Sequence, residues 1–248
     1  MSLTMALFAC ILSSVMEALT LVKYLARYAG VSRRAAEAAV RAGKVSVDGV
    51  CVDRPEFRVN GENDITLDGR NIAAAEQETV YIMLNKPAGY TCSASDPHAE
   101  HLAIELIDIP QRVFYAGRLD RDSEGLLIFS NDGNYVQELA HPRYGVKKLY
   151  RVTVNAGLSQ TDMESICSGL SDEEGTIRAL AVEHIEKNIY TFLLNEGKKR
   201  EIRRLVKAVG KRVIRLIRVR QGRLELGDLQ VGKWRYLTPA EAAMAKEE

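Results

Sequence analysis

The sequence predicts an α+β fold in two parts, a small α+β domain over residues 17–72 and a mixed, largely antiparallel domain over residues 80–248. Three observations predict it. Short runs rich in Val, Ile, Leu and Tyr outnumber the helical patterns and do not alternate with them regularly, which argues against a doubly wound sheet. Two Asp-Gly dipeptides, Asp48-Gly49 and Asp68-Gly69, interrupt alternating apolar segments as hairpin turns do. Residues 73–79 (AAAEQET) carry no packing pattern and read as a linker.

The elements follow in order. Residues 5–16 are uncharged and mostly apolar, too short a run to span a bilayer and without the preceding positive charge of a secretory signal. They read as an N-terminal extension, residues 1–16, with Met16 as a candidate start, which N-terminal sequencing of the native protein would check. Leu19, Val22, Tyr24, Leu25 and Tyr28 fall near helical spacing, and Gly30 stops that helix. Ser32 can cap a second helix over 33–41, which ends at Gly43. The hairpin 45–52 and a second turn at 65–70 complete the first domain. Strands are expected at 80–84, 126–130, 149–154 and 189–194, with an Asn131-Asp132-Gly133 turn after the second. Ser159-Gln160-Thr161-Asp162 opens a helix that Gly169 can end, residues 199–209 form an amphipathic helix, and Thr238-Pro239 starts a last one.

The 248 residues are 46% hydrophobic and 27% charged, a mix that excludes a disordered, collagen-like or disulfide-scaffolded chain. Lys and Arg number 34 against 33 Asp and Glu, and the net charge of +1 conceals a strong asymmetry. Residues 195–223 hold twelve cations against two carboxylates, a local charge of +10; residues 20–50 carry +4, and the remainder −13. An acidic body with two basic zones suits a polyanion binder. Cys10, Cys51, Cys92 and Cys167 are far apart and form no C-x-x-C pair, so neither a zinc site nor a disulfide framework is expected, and reduced thiols point to the cytoplasm. His98 and His101 stand in a polar loop without further ligands, and no metal is expected there either.

Arg33 and Arg34 fall in the first turn of the second helix, with Arg41 and Lys44 at its far end, a surface suited to phosphates of folded RNA. Lys23, Leu25, Ala26, Gly30, Ser32, Arg33, Arg34, Gly43, Val45, Val47 and Gly49 follow a layout that resembles the S4 RNA-binding domain, with one residue fewer than usual between the Gly and Ser-Arg-Arg.

In the second domain, Gly117-Arg118-Leu119-Asp120 runs through Arg121-Asp122-Ser123-Glu124-Gly125 into the apolar run 126–130. The three carboxylates lack EF-hand spacing, and sequence alone does not test a glycosidase-type pair. The block resembles the catalytic loop of the RsuA/RluB/RluE/RluF family of pseudouridine synthases. Four further blocks support the match: Asn85-Lys86-Pro87-Ala88-Gly89-Tyr90, Lys148-Leu149-Tyr150, the stretch 196–205 (EGKKREIRRL), and Gly232-Lys233-Trp234-Arg235-Tyr236-Leu237. With the S4-like part, the resemblance spans residues 17–240.

That resemblance implies conversion of a uridine to pseudouridine in ribosomal RNA, with no cofactor. It assigns Asp120 as the catalytic carboxylate, nucleophile or base, acting on an atom that the sequence does not identify. Arg203 is implied as the cation paired with Asp120, which would lower its pKa. The Tyr150 ring is implied to lie against the extracted uracil, with Arg118 as an RNA contact. Lys86, Lys199, Arg200 and Arg204 join Arg33, Arg34, Arg41 and Lys44 as RNA-binding candidates. The partner expected is ribosomal RNA or a pre-ribosomal particle, bound by a monomer without a membrane or protein partner. The ordering of residues 203–220 and the Gly-Lys-Trp ending look most like the RluB branch, which points to large-subunit rRNA. The alternatives are the RsuA branch, acting on small-subunit rRNA, and a non-catalytic ribosome-assembly factor.

Overall fold

A computed structural model describes residues 18–74, 78–93 and 95–247. The expected N-terminal extension lies outside the described residues, as does the middle of the expected linker, residues 75–77. The chain divides into two compact units, with the boundary between Glu78 and Thr79.

In the first unit, β1 (Leu19–Thr20) leads into α1 (Leu21–Tyr28) and α2 (Arg33–Arg41). Thr20 and Ser32 cap these helices by accepting from the backbone N–H groups of Lys23 and Ala35. There follow β2 (Val45–Val47), β3 (Val50–Cys51), β4 (Arg58–Val59), β5 (Ile65–Leu67) and β6 (Arg70–Asn71). Four of them form an antiparallel sheet in the order β3-β2-β5-β6, and β4 pairs with β1. Both Asp-Gly turns have two successive positive φ angles, 52° and 79° at Asp48-Gly49 and 49° and 78° at Asp68-Gly69. That backbone matches the twist of a two-residue hairpin. Leu21, Tyr24, Leu25, Ala36, Val40 and Ile65 close the core, and α2 leaves Arg33 and Arg34 exposed.

The second unit contains β7 (Tyr81–Lys86), β8 (Phe114–Ala116), β9 (Glu124–Ser130), α3 (Gly133–Ala140), β10 (Lys148–Val154) and α4 (Gln160–Ser168). After them come β11 (Leu170–Asp172), β12 (Gly175–Ile177), β13 (Ala181–Glu186), β14 (Ile189–Leu194) and α5 (Glu201–Ala208). The chain ends with β15 (Val213–Gln221), β16 (Leu224–Glu225), β17 (Trp234–Tyr236) and α6 (Pro239–Met244). The main sheet runs β13-β14-β10-β15-β9-β7-β17, with β16 on β15 and β8 on β9; its one parallel pair is β15 with β9.

Side-chain alternation sends β7 and β9 into two cores at once. Ile82, Leu84, Leu127 and Phe129 join the cluster that takes Ile166 of α4 and Ile202, Leu205 and Val206 of α5. Met83, Leu126 and Ile128 join a second cluster with Tyr135 and Leu139 of α3 and Ala242 of α6. Burial on both faces is why these strands read as nearly continuous apolar runs. Two expectations change. Asp132 is the N-cap of α3 rather than part of a turn, accepting from Asn134 N and Tyr135 N at 2.9 and 3.2 Å. And α5 starts at Glu201, because Arg200 takes a left-handed φ of 51°. Among the described residues, no helix is long and apolar enough to cross a membrane.

Candidate active site

The loop between β8 and β9 carries Arg118, Asp120 and Asp122, and the fold holds it from three sides. Ser123 N–H closes a turn on Asp120 O at 3.0 Å, and Gly89 N–H reaches Arg121 O at 2.7 Å. Beneath it, Lys86 Nζ donates to the carbonyls of Ser123, Pro87 and Arg121 at 2.7, 2.9 and 3.4 Å. The loop then enters β9 at Gly125, φ +101°, whose missing side chain lets β15 pass alongside; a Cβ there would stand 2.8 Å from Arg218 N and closer still to Arg218 O.

A cavity of about 330 Å³ opens above this loop. Arg118 and Asp120 of the loop, Tyr150 and Leu216 of the neighbouring strands, and residues 196–201 line it. Tyr150 is buried among the core residues, its backbone in register with Phe192 of β14 on one side and Arg218 of β15 on the other. Among the described residues, nothing donates a hydrogen bond or an ion pair to the Asp120 carboxylate, whereas Asp122 is fully engaged. The cavity thus offers an unengaged carboxylate, an aromatic face and a cationic rim, equipment for acting on one base of a polyanion.

The predicted residues separate on inspection. Asp120, Tyr150, Arg118, Lys199 and Arg200 converge on the cavity. Arg203 does not pair with Asp120: its guanidinium meets Asp122 Oδ2 at 3.1 Å and Asp122 O at 3.0 Å. Arg200, just ahead of α5, holds the same carboxylate through two nitrogens at 3.3 and 3.1 Å. Partial burial pushes the Asp122 carboxyl up, but the Arg200 hydrogen bond and the charges of Arg203 and Arg200 outweigh it and hold it below the usual range. The clamp therefore acts two residues beyond the catalytic candidate, fixing its loop.

Lys86, expected at the RNA, is fully buried, because the loop carbonyls converge on its ammonium; burial lowers its pKa. Arg204, also expected at the RNA, is only 14% exposed and forks onto Asp172 in the β11–β12 hairpin, with Glu174 at 3.3 Å. Arg218, one of the twelve cations of the basic stretch, is buried and donates to Leu126 O at 2.6 Å. Arg33 and Arg34 stay exposed, whereas Arg41 pairs with Glu37 at 3.0 Å and Lys44 with Asp68 at 3.5 Å. Sequence reasoning missed Asp122 and Glu201; only the two-residue spacing of Asp120 and Asp122 hinted at a division of roles. No group of three or more His, Cys, Asp or Glu side chains suited to a metal occurs among the described residues.

Comparison with known proteins gives the family. The model of the RNA pseudouridylate synthase family matches residues 80–208, and that of the S4 domain residues 19–65. Ribosomal small subunit pseudouridine synthase A of Escherichia coli (strain K12) is 34% identical over 225 residues, 89% of this chain and 97% of that protein. Ribosomal large subunit pseudouridine synthase B of Bacillus subtilis (strain 168) is 33% identical over 222 residues, 86% of this chain and 90% of that protein. A crystal structure of a pseudouridylate synthase superimposes with a TM-score of 0.66 at 27% identity, covering 92% of this chain and 99% of that one. A mixed α+β domain with this cavity, preceded by an S4 domain and matched along most of its length, belongs to the RNA pseudouridylate synthase family.

Proposed function

We propose that this chain isomerises one uridine of ribosomal RNA, with large-subunit rRNA as the target. The observation that carries the reading is the Asp120 carboxylate, without a hydrogen bond or ion pair among the described residues, in a cavity lined also by Tyr150, Arg118, Lys199 and Arg200. The S4 domain and the ribosomal substrates in the names of both relatives support rRNA. The ordering of residues 203–220 and the Gly-Lys-Trp ending support the large subunit. The small subunit is the second reading, favoured by the 34% identity to the Escherichia coli enzyme.

In the reaction the N1–C1′ bond breaks, the base turns and a C5–C1′ bond forms. C5 gives up a proton and N1 gains one, so neither an oxidant nor a group donor is consumed. Asp120 supplies the carboxylate that acts on the nucleoside. Tyr150 holds the extruded ring, which costs a few kcal/mol of stacking that binding must offset. Arg118 meets the RNA at the mouth. Arg203 works at one remove, through Asp122, by fixing the loop. The chain acts as a monomer in the cytoplasm.

The test is a map of pseudouridines across both rRNAs in cells with the gene, without it, and with Asp120→Ala. One modification, lost on deletion and not restored by Asp120→Ala, is expected in large-subunit rRNA. A lost site in small-subunit rRNA selects the second reading, and restoration by Asp120→Ala refutes the role of that carboxylate.

A further inference from the structure

A short loop, residues 196–200, lines the same cavity as Asp120 and bears Lys198, Lys199 and Arg200, and its shape depends on the first residue of α5. Glu201 N–H donates to Lys198 O at 3.2 Å, and Lys198 N–H donates back to Glu201 Oε2 at 3.0 Å. Lys198 Nζ meanwhile reaches Glu196 Oε1 at 2.9 Å and Thr176 O at 2.7 Å. Both Glu196 and Glu201 line the cavity.

Glu201 is 5% exposed, and its Oε1 is shut off from water with no hydrogen-bond partner. A bare carboxylate oxygen in that position is costly. A proton resolves it, since the acid O–H can donate to the adjoining Glu196 carboxylate. The charged groups around it are Glu196 and Lys198 on the loop, Lys148 on β10 and Arg204 on its own helix, with Arg218 of β15 acting on Lys148. Burial pushes the Glu201 carboxyl up to about 7; the Lys198 N–H bond opposes this, and the adjoining Glu196 charge reinforces it.

We propose that Glu201 is a positioning residue that works in its protonated form: its acid proton ties Glu196 to the first turn of α5 and holds the cationic loop closed against the catalytic cavity. This rests on that cavity being where the base is isomerised. Ionisation sets the buried Glu201 carboxylate against the half-buried one of Glu196, and the loop loosens. An amide at position 201 would donate to Glu196 as the acid does, without the ability to ionise.

Two measurements test this. The first is the single-turnover rate of pseudouridine formation between about pH 6 and pH 9, with total rRNA from cells lacking the gene as substrate. The wild-type rate is expected to fall above neutrality by up to about tenfold per pH unit. Glu201→Gln is expected to abolish that fall, and Glu201→Ala to be slow throughout. The second is trypsin cleavage after Lys198, Lys199 and Arg200 in the free protein. The wild-type to Glu201→Gln ratio of cleavage rates is expected to rise with pH. A wild-type alkaline fall retained in Glu201→Gln overturns the role in the reaction, and a pH-independent trypsin ratio overturns the loop contact. Neither result bears on Asp120, whose own variant tests that assignment.

Discussion

Lys86 is a cation with no exposed surface, held by the carbonyl oxygens of Arg121 and Ser123, in the segment that carries Asp120, and of its own neighbour Pro87. Burying an ammonium without a carboxylate partner is expensive, and those three hydrogen bonds compensate for it. Their effect is to hold the backbone at Ser123, Pro87 and Arg121 around one point. Replacing Lys86 with Met takes the ammonium from the Pro87 and Ser123 carbonyls, while Arg121 O keeps its bond from Gly89 N–H, and it removes the buried charge, so cost and gain partly cancel. Lys86→Met is expected to destabilise the protein by about 2 kcal/mol in urea unfolding, with a loss of modification rate out of proportion to it. Full activity in a folded Lys86→Met protein would show that the loop is held by other means. Asp122 makes the same point from the other side of the loop. A carboxylate that could have been catalytic is instead consumed by Arg200 and Arg203, which leaves Asp120 unengaged.

At the level of elements, the site depends on β9 and β15 running parallel where they meet. Ile217 pairs with Glu124 and Arg218 with Gly125, which brings the end of the Asp120 loop against a strand some ninety residues later in the chain. Gly125 makes the approach possible, through its positive φ and through the space a side chain would occupy. Gly125→Ala combines a strained backbone with a clash against main-chain atoms, which do not yield as a side-chain tip would. It is expected to cost about 3 kcal/mol and to separate β9 from β15, read as a lowered urea midpoint together with lost activity. Wild-type stability in that variant would mean that the strands can part without consequence. The Arg215–Glu124 pair, with two hydrogen bonds of 2.8 Å, fastens the same junction from the outer side.

For the whole molecule, the basic stretch at residues 195–223 is less a binding surface than its charge of +10 suggested. Arg218 is internal, Arg203 and Arg204 are nearly so, and Arg200 and Arg215 are committed to carboxylates. Lys199 is 75% exposed but stands 3.7 Å from Glu174, while the first unit keeps Arg33 and Arg34 exposed. Long-range attraction of RNA is therefore shared between the two units, and it is the part that salt screens. The double variant Arg33→Ala/Arg34→Ala is expected to weaken binding and to lower the slope of log K against log salt by about 1.5, because two fewer phosphates are neutralised and fewer counterions leave the RNA. Its modification rate at saturating RNA should stay within about twofold of wild type, because neither arginine lies in the unit that carries Asp120. A salt slope identical to that of the wild type would remove both residues from the RNA interface.

Local chemistry determined what the sequence made legible. The Asp-Gly hairpins, the Ser32 and Ser159 caps, the stop at Gly169 and the helix opening at Thr238-Pro239 each depend on sterics and hydrogen bonds spanning a few residues, so reading the chain in order recovers them. The order of the two domains and the candidates Asp120 and Tyr150 were legible for a related reason: they sit in contiguous blocks. Only the tertiary structure decided which charges meet. Arg203 and Asp122 are 81 residues apart, Arg204 and Asp172 are 32, and Lys86 and Ser123 are 37. Charge type at a position does not say whether its partner is a phosphate, a carboxylate or a ring of carbonyls. That choice is made by the strand register that brings distant segments together and by the water it excludes when it does.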